Sequence, residues 1–243
     1  MKVDKIKKVT KTARKFMKLR YCGAVIVAAG SASRMNGIDK VMAPLGGEPM
    51  IVRTVRNFQE CDAIKEIVVV TRPDLIVPIM DLCHDFDKLR AVVVGGDTRA
   101  DSVNMGMNTL SDKVEVVAVH DGARPFADYQ LIDRIVRAGN YFGAAAPAIP
   151  LKDTVKLVQG GLVRATPDRS NLRAVQTPQV FDFDILRAAL AQAKLSGANV
   201  TDDCSAVELF GMEVRIMEGD ERNIKITTPM DLKIAQLLLE EDQ

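Results

Sequence analysis

The stretch AAGSASRM at 28–35, followed by Lys40, combines small residues with two cations, Arg34 and Lys40. Small residues let the backbone approach a ligand closely, and fixed positive charge beside them suits the phosphates of a nucleoside triphosphate. The loop is neither a Walker loop nor a GxGxxG turn, since Gly30 is followed by Ser31, Ala32 and Ser33. Alone, it also reads as a glycine turn with two surface cations. Further on, GGDTRADSV at 95–103 opens a helix with Arg99 and Ser102 in its first turn, where free amides favour anions or polar base edges. DGARP at 121–125 sets Asp121 beside Arg124. That carboxylate is placed for a metal ion or a sugar hydroxyl, or else for a helix cap or an ion pair with Arg124. His120 reads as a packed strand-end residue rather than a base.

Anion chemistry returns late in the chain. Lys152, Asp153 and Thr154 open one segment, TPDRSN at 166–171 closes it, and QTPQ at 176–179 follows. TDD at 201–203 caps a helix, and NIKITTP at 223–229 puts Lys225 in an apolar strand before a last capped helix. A lysine between Ile224 and Ile226 ordinarily faces solvent; the other motifs give it a chemical reading.

These residues must be positioned by alternating β-branched runs and helical patterns. Strands are expected at 24–28, 67–71, 91–94, 116–120, 144–149 and 213–217. Helices are expected near 49–60, 74–86, 99–110, 128–138, 184–194, 202–210 and 229–240. Alternation of this kind predicts an α/β, Rossmann-like, mostly parallel sheet flanked by helices. Ligands bind beyond the carboxyl ends of such strands, where the first three motifs fall. The segment 152–174 breaks the rhythm: two short strands about Gly160 and Gly161 predict a protruding β-hairpin arm.

With 243 residues, 47% hydrophobic and 27% charged, the chain is in the ordinary globular range and can bury a core without a disulfide or metal staple. The expected organisation is a basic N-terminal extension at 1–20 and a single domain at 21–243. Cys22, Cys61, Cys83 and Cys204 form no CxxC pair, and His84 and His120 stand apart, so a structural zinc site is not expected. The lack of an 18-residue apolar run or an apolar leader points to a cytoplasmic protein without a membrane partner. The net charge of +1 divides into +8 on residues 1–20 and −7 on the rest. In that extension Val3, Ile6, Thr10, Ala13 and Met17 recur at helical spacing. Such a helix could meet nucleic acid or anionic lipid; it also reads as a solvated extension, or as an upstream start with Met17 as the working one.

In one order, AAGSASRM with Lys40, GGDTRADSV, HDGARP, KDTVK, QTPQ, TDDCSAVE and GDERNIKITTPMDL resemble the 2-C-methyl-D-erythritol 4-phosphate cytidylyltransferases, over about 21–240. The resemblance implies transfer of the cytidylyl group of CTP to 2-C-methyl-D-erythritol 4-phosphate with release of pyrophosphate, in non-mevalonate isoprenoid precursor synthesis. It also implies a divalent cation, normally Mg2+, and a homodimer through the arm, with small-molecule substrates and no nucleic acid. Residue by residue, it assigns Ala28, Ala29, Gly30, Arg34 and Lys40 to the CTP phosphates. Gly96, Asp97 and Ser102 take the cytosine, with Arg99 supporting their loop. Asp121 and Arg124 take the ribose and sugar-phosphate side, Asp121 also serving the metal. Thr154, Arg169, Thr177 and Lys225 take the phosphate of the second substrate, Thr201 is a further site position, and Arg34, Lys40 and Lys225 carry the catalysis. Val41 and Met42 follow Lys40 where members often carry Gln and an aromatic residue, and the basic extension lies outside the pattern. Two other readings stand beside this one. A ribitol-5-phosphate cytidylyltransferase shares much of the loop chemistry, although the TDD and NIKITTP stretches look more like the methylerythritol enzyme. A nucleotide-sensing or nucleic-acid-binding protein on an idle scaffold would work through its basic tail, but Lys40, Asp121 and Lys225 argue against it.

Overall fold

The computed structural model describes residues 18–30 and 40–241. Its strands are β1 (Cys22–Val27), β2 (Pro44–Leu45), β3 (Glu48–Pro49), β4 (Ile64–Thr71), β5 (Leu89–Val94), β6 (Val116–Asp121), β7 (Ala144–Pro150), β8 (Leu157–Gln159), β9 (Leu162–Ala165), β10 (Arg173–Val175), β11 (Gln179–Asp182) and β12 (Arg215–Glu218). Its α-helices are α1 (Met50–Glu60), α2 (Ile76–Leu82), α3 (Arg99–Thr109), α4 (Tyr129–Phe142), α5 (Phe183–Ser196), α6 (Asp203–Leu209) and α7 (Pro229–Glu240).

Strands β6, β1, β4 and β5 lie side by side in parallel. Their residues are apolar on both faces because helices cover both. One core layer sets Ile51, Val55 and Phe58 of α1 and Leu131 and Ile135 of α4 against the sheet. The other uses Val103 and Met107 of α3, Leu186 and Leu190 of α5, and Val207 of α6. Beyond β6 the sheet continues through β11, antiparallel to both β6 and β7. Ala145 pairs with both Val180 and Arg215, so β12 takes the outer edge of β7, in parallel, while β10 shares the β11 edge.

The mostly parallel α/β sheet is as expected; the antiparallel β10 and β11 and the β2–β3 hairpin are additions. The helix expected at 74–86 is shorter, a 3-10 turn at Pro73–Leu75 leading into α2. No strand forms at 223–229. That stretch is an extended connector tied to the loop after β6, with the Ile226 N–H donating to the Ala123 carbonyl at 2.9 Å. The hairpin β8–β9 stands where the arm was expected, turning at Gly160 and Gly161 with φ of 58° and 77°, positive at both turn residues as a tight hairpin requires. Residues 1–17, most of the basic extension, lie outside the described residues, as does Arg34. Among the described residues no helix is long and apolar enough to cross a membrane.

Candidate active site

The chain runs from β1 to β4 and β5 on one side, then returns to β6 on the other. Loops leaving β1 and β6 therefore diverge, which opens a crevice at their carboxyl ends. A cleft of about 360 Å³ occupies it, lined among others by Ala28, Ala29, Gly30, Lys40, Gly96, Asp97, Arg99, Ser102, Asp121 and Lys225. Ten of the expected site residues thus meet in one place.

The nucleotide side is built from close backbone approaches. A Cβ added at Gly95 would stand 2.6 Å from the Ala29 Cβ, so the turn at 95–98 can lie against the first loop only with glycine there. One at Gly96 would stand 2.4 Å from the Asp101 Cβ, so the turn can close onto the start of α3 only with glycine there. Helix α3 starts from Thr98, whose Oγ accepts the Asp101 N–H at 3.0 Å. The Ser102 hydroxyl accepts the Gly96 N–H at 3.2 Å and donates to the Thr98 carbonyl at 3.0 Å. Ser102 is therefore committed to shaping the turn. Across the cleft, the Lys40 Nζ stands 3.6 Å from where a Gly30 Cβ would be. The first loop thus presents bare backbone beside an ammonium group.

Opposite lies a carboxylate among cations. Asp121, the last residue of β6, faces the Lys225 Nζ at 2.9 Å, the Arg124 Nε at 3.5 Å and Arg99 Nη2 at 3.6 Å. Burial pushes its carboxyl up, but Lys225, Arg99 and Arg124 together outweigh burial and hold it well below the usual carboxylate range. It is ionised at any physiological pH. Arg124 does not line the cleft; its Nη1 donates to the Asn223 carbonyl at 2.8 Å, tying the connector that carries Lys225 to the loop after β6. Asn223, fully buried, adds a bond from Nδ2 to the Thr177 carbonyl at 2.8 Å. These ties turn Lys225 inward, where an alternating Ile-Lys-Ile strand would have turned it to solvent.

Thr177 is buried behind Asp121. Its Oγ1 accepts the Asp121 N–H at 3.1 Å and lies 3.0 Å from His120 Nδ1, so it fixes the backbone that carries Asp121. His120 packs against Phe58, with ring centroids 4.8 Å apart, and its Nε2 meets the Arg124 carbonyl. Burial pushes its imidazole down to about 4, so it is neutral at pH 7 and committed on both nitrogens. Thr154, Arg169 and Thr201 are exposed and lie outside the lining of the cleft within this chain. Arg169 donates to the Lys152 carbonyl at the base of the arm.

Sequence reasoning passed over Asp203 and Gln179. TDD reads as a helix cap, and Asp202 is one, accepting the Ser205 N–H at 2.9 Å. Asp203 instead receives Arg99 Nη1 at 2.8 Å. The second acid after a satisfied cap was the only signal in the sequence.

A family model described as 2-C-methyl-D-erythritol 4-phosphate cytidylyltransferase matches residues 22–241. The chain is 43% identical over 219 residues to an enzyme of that name from Geobacillus kaustophilus, covering 89% of this chain and 96% of the relative. It is 43% identical over 220 residues to one from Symbiobacterium thermophilum, covering 90% and 92%. In three dimensions it is similar to the 4-diphosphocytidyl-2C-methyl-D-erythritol synthase of Anaerococcus prevotii, with a TM-score of 0.83 and 32% identity over 92% of this chain and all of the other. The corresponding cytidylyltransferase of Thermus thermophilus gives 0.76 and 31%, covering 90% and 99%.

Proposed function

The chain belongs to the 2-C-methyl-D-erythritol 4-phosphate cytidylyltransferase family, and from that premise we propose how its cleft does the chemistry. It is a CTP-dependent nucleotidyltransferase that converts CTP and 2-C-methyl-D-erythritol 4-phosphate to 4-diphosphocytidyl-2-C-methyl-D-erythritol and pyrophosphate, in the non-mevalonate route to isoprenoid precursors. A phosphate oxygen of the sugar phosphate attacks the α-phosphorus of CTP, and the bond to the pyrophosphate oxygen breaks. The nucleophile is already an anion at neutral pH, so no general base is needed, in keeping with a neutral, committed His120.

What the site must supply is positioning of two anions and charge at the reacting phosphoryl group. In our reading the 28–30 backbone, Arg34 and Lys40 receive the CTP phosphates, and Gly96, Asp97 and Ser102 shape the cytosine pocket. Asp121 takes the ribose side, and Lys225 moves from Asp121 to the phosphoryl group as charge develops there. The observation that carries this reading is the meeting of Gly30, Lys40, Gly96, Asp121 and Lys225 on one cleft at the point where the strand order reverses.

The donor set also fits a nucleotide-borne Mg2+. Among the described residues no group of three His, Cys, Asp or Glu could hold a metal. A single permanently ionised carboxylate, Asp121, suits an ion that takes one or two carboxylates and completes its shell with substrate phosphates and water. When bound, the ion would withdraw negative charge from phosphate oxygens. We place the reaction in the cytoplasm, which the four free cysteines support.

The direct test is pyrophosphate release from CTP and Mg2+ with either acceptor. Selective turnover with 2-C-methyl-D-erythritol 4-phosphate is expected. Equal or better turnover with ribitol 5-phosphate would move the assignment to that substrate, and none with either would favour the idle scaffold.

A further inference from the structure

Asp203 opens α6 with 1% of its surface exposed, although the cap of that helix is already made by Asp202. Its carboxylate is spent on Arg99, 104 residues away in sequence, at 2.8 Å. A buried carboxylate is costly unless paired, and burial pushes this one up while Arg99 opposes the shift. Gln179 of β11 fixes the group from the other side. Its Oε1 accepts the N–H of Asp203 and of Cys204, each at 3.1 Å, and its Nε2 donates to Asp202 at 2.7 Å.

The other arm of the same guanidinium points to Asp121 at 3.6 Å. Arg99 is thus strung between two carboxylates, and it opens α3 directly after the turn that lines the cleft at Gly96, Asp97 and Thr98. Without the charge on Asp203, Arg99 would have Asp121 as its nearest counter-ion. Asp121 already holds Lys225 at 2.9 Å and Arg124 at 3.5 Å. Arg99 would draw toward it, carry the 96–98 turn along and compete with Lys225.

We propose that Asp203 is a positioning residue for the CTP side of the cleft, acting through Arg99 to keep the 96–98 turn in place and Asp121 available to Lys225. The inference rests on the cytidylyltransferase reading above. It assigns Asp203 a role in substrate affinity that a helix cap would not have.

The test is a double-mutant cycle on the full-length enzyme: wild type, Asp203→Asn, Arg99→Gln and the double variant. Calorimetry gives the Kd for CTP without the second substrate, kinetics give KM for each substrate, and thermal melting gives the folded fraction. Asp203→Asn should weaken CTP binding by roughly tenfold while KM for the sugar phosphate changes less than about threefold; in the Arg99→Gln background it should cost no more than about twofold further. An equal factor in both backgrounds would overturn the proposal, as would wild-type CTP affinity in folded Asp203→Asn or a loss that merely tracks the unfolded fraction. Should Asp203→Asn not fold, the comparison of Arg99→Gln with the double variant decides: equal affinity supports the proposal and a further loss defeats it. Wild type that binds no CTP would strike at the functional reading, not at this coupling.

Discussion

Lys225 and Asp121 face each other at 2.9 Å, and the lysine side chain keeps 41% of its surface exposed while the aspartate keeps 12%. The lysine thus keeps one side open to the cleft, where in our reading the phosphoryl group reacts, whereas the aspartate is largely enclosed, its backbone N–H held by the Thr177 hydroxyl. A cation used mainly on developing charge stabilises the transition state more than bound substrate. Lys225→Met should accordingly lower kcat by about a hundredfold to a thousandfold, while the Kd for CTP rises far less. Single-turnover rates and CTP titration together check this; a variant with wild-type turnover would remove Lys225 from the chemistry. The residue types of the site were legible in the sequence because glycines, cations and one acid recur directly after strands. The Arg99–Asp203 pair was not, since its partners are 104 residues apart and each has an ordinary local reading, one as a first-turn arginine and the other as a cap.

Helix α7 shows how a whole element serves one side chain. Its apolar face packs Ala235 and Leu239 with Leu45, Met50, Phe126 and Ile226, so it anchors the connector that ends just after Lys225. Its start is a capping box: the Thr228 Oγ accepts the Asp231 N–H at 3.2 Å, and the Asp231 carboxylate accepts the Thr227 and Thr228 N–H groups at 2.8 Å each. Partial burial pushes the Asp231 carboxyl up, but the hydrogen bonds from Thr227 and Thr228 prevail and hold it below its ordinary value. A carboxyl depressed in the folded state adds stability above the unfolded-state value, near 4, and that stability is lost as pH falls through and below it. Asp231→Asn should therefore cost about 1 kcal/mol in denaturant unfolding at pH 7 and much less at about pH 3. A cost that does not shrink with pH would mean that the charge on Asp231 is not what stabilises the cap. The box was readable from TTPMD, and the parallel strands were readable from their β-branched runs. By contrast β11 is four residues with polar ends, too short to signal a strand, and Ile-Lys-Ile imitated one. The bonds made by Arg124, Asn223 and the Ile226 N–H show that this stretch is a connector.

At the scale of the whole molecule the arm is what the fold leaves unfinished. Leu157, Val158, Leu162 and Val163 are all more than half exposed on a two-stranded hairpin, a unit that is marginal in water without something to pack against. Thr154 and Arg169 sit at its base, outside the cleft of their own chain. We infer a two-fold dimer in which paired arms bury these apolar residues, and Arg169 grips the sugar phosphate in the partner's cleft through paired hydrogen bonds that lysine could not reproduce. Shared sites have a signature that no single-chain site imitates. Arg169→Ala and Lys40→Ala should each be inactive as homodimers, because every site then lacks one group. In a heterodimer of the two, one site carries both defects and the other carries neither. Mixing the variants under conditions of subunit exchange should then restore activity in proportion to the heterodimer measured by native mass spectrometry. Heterodimers that form and remain inactive would return Arg169 to its own chain.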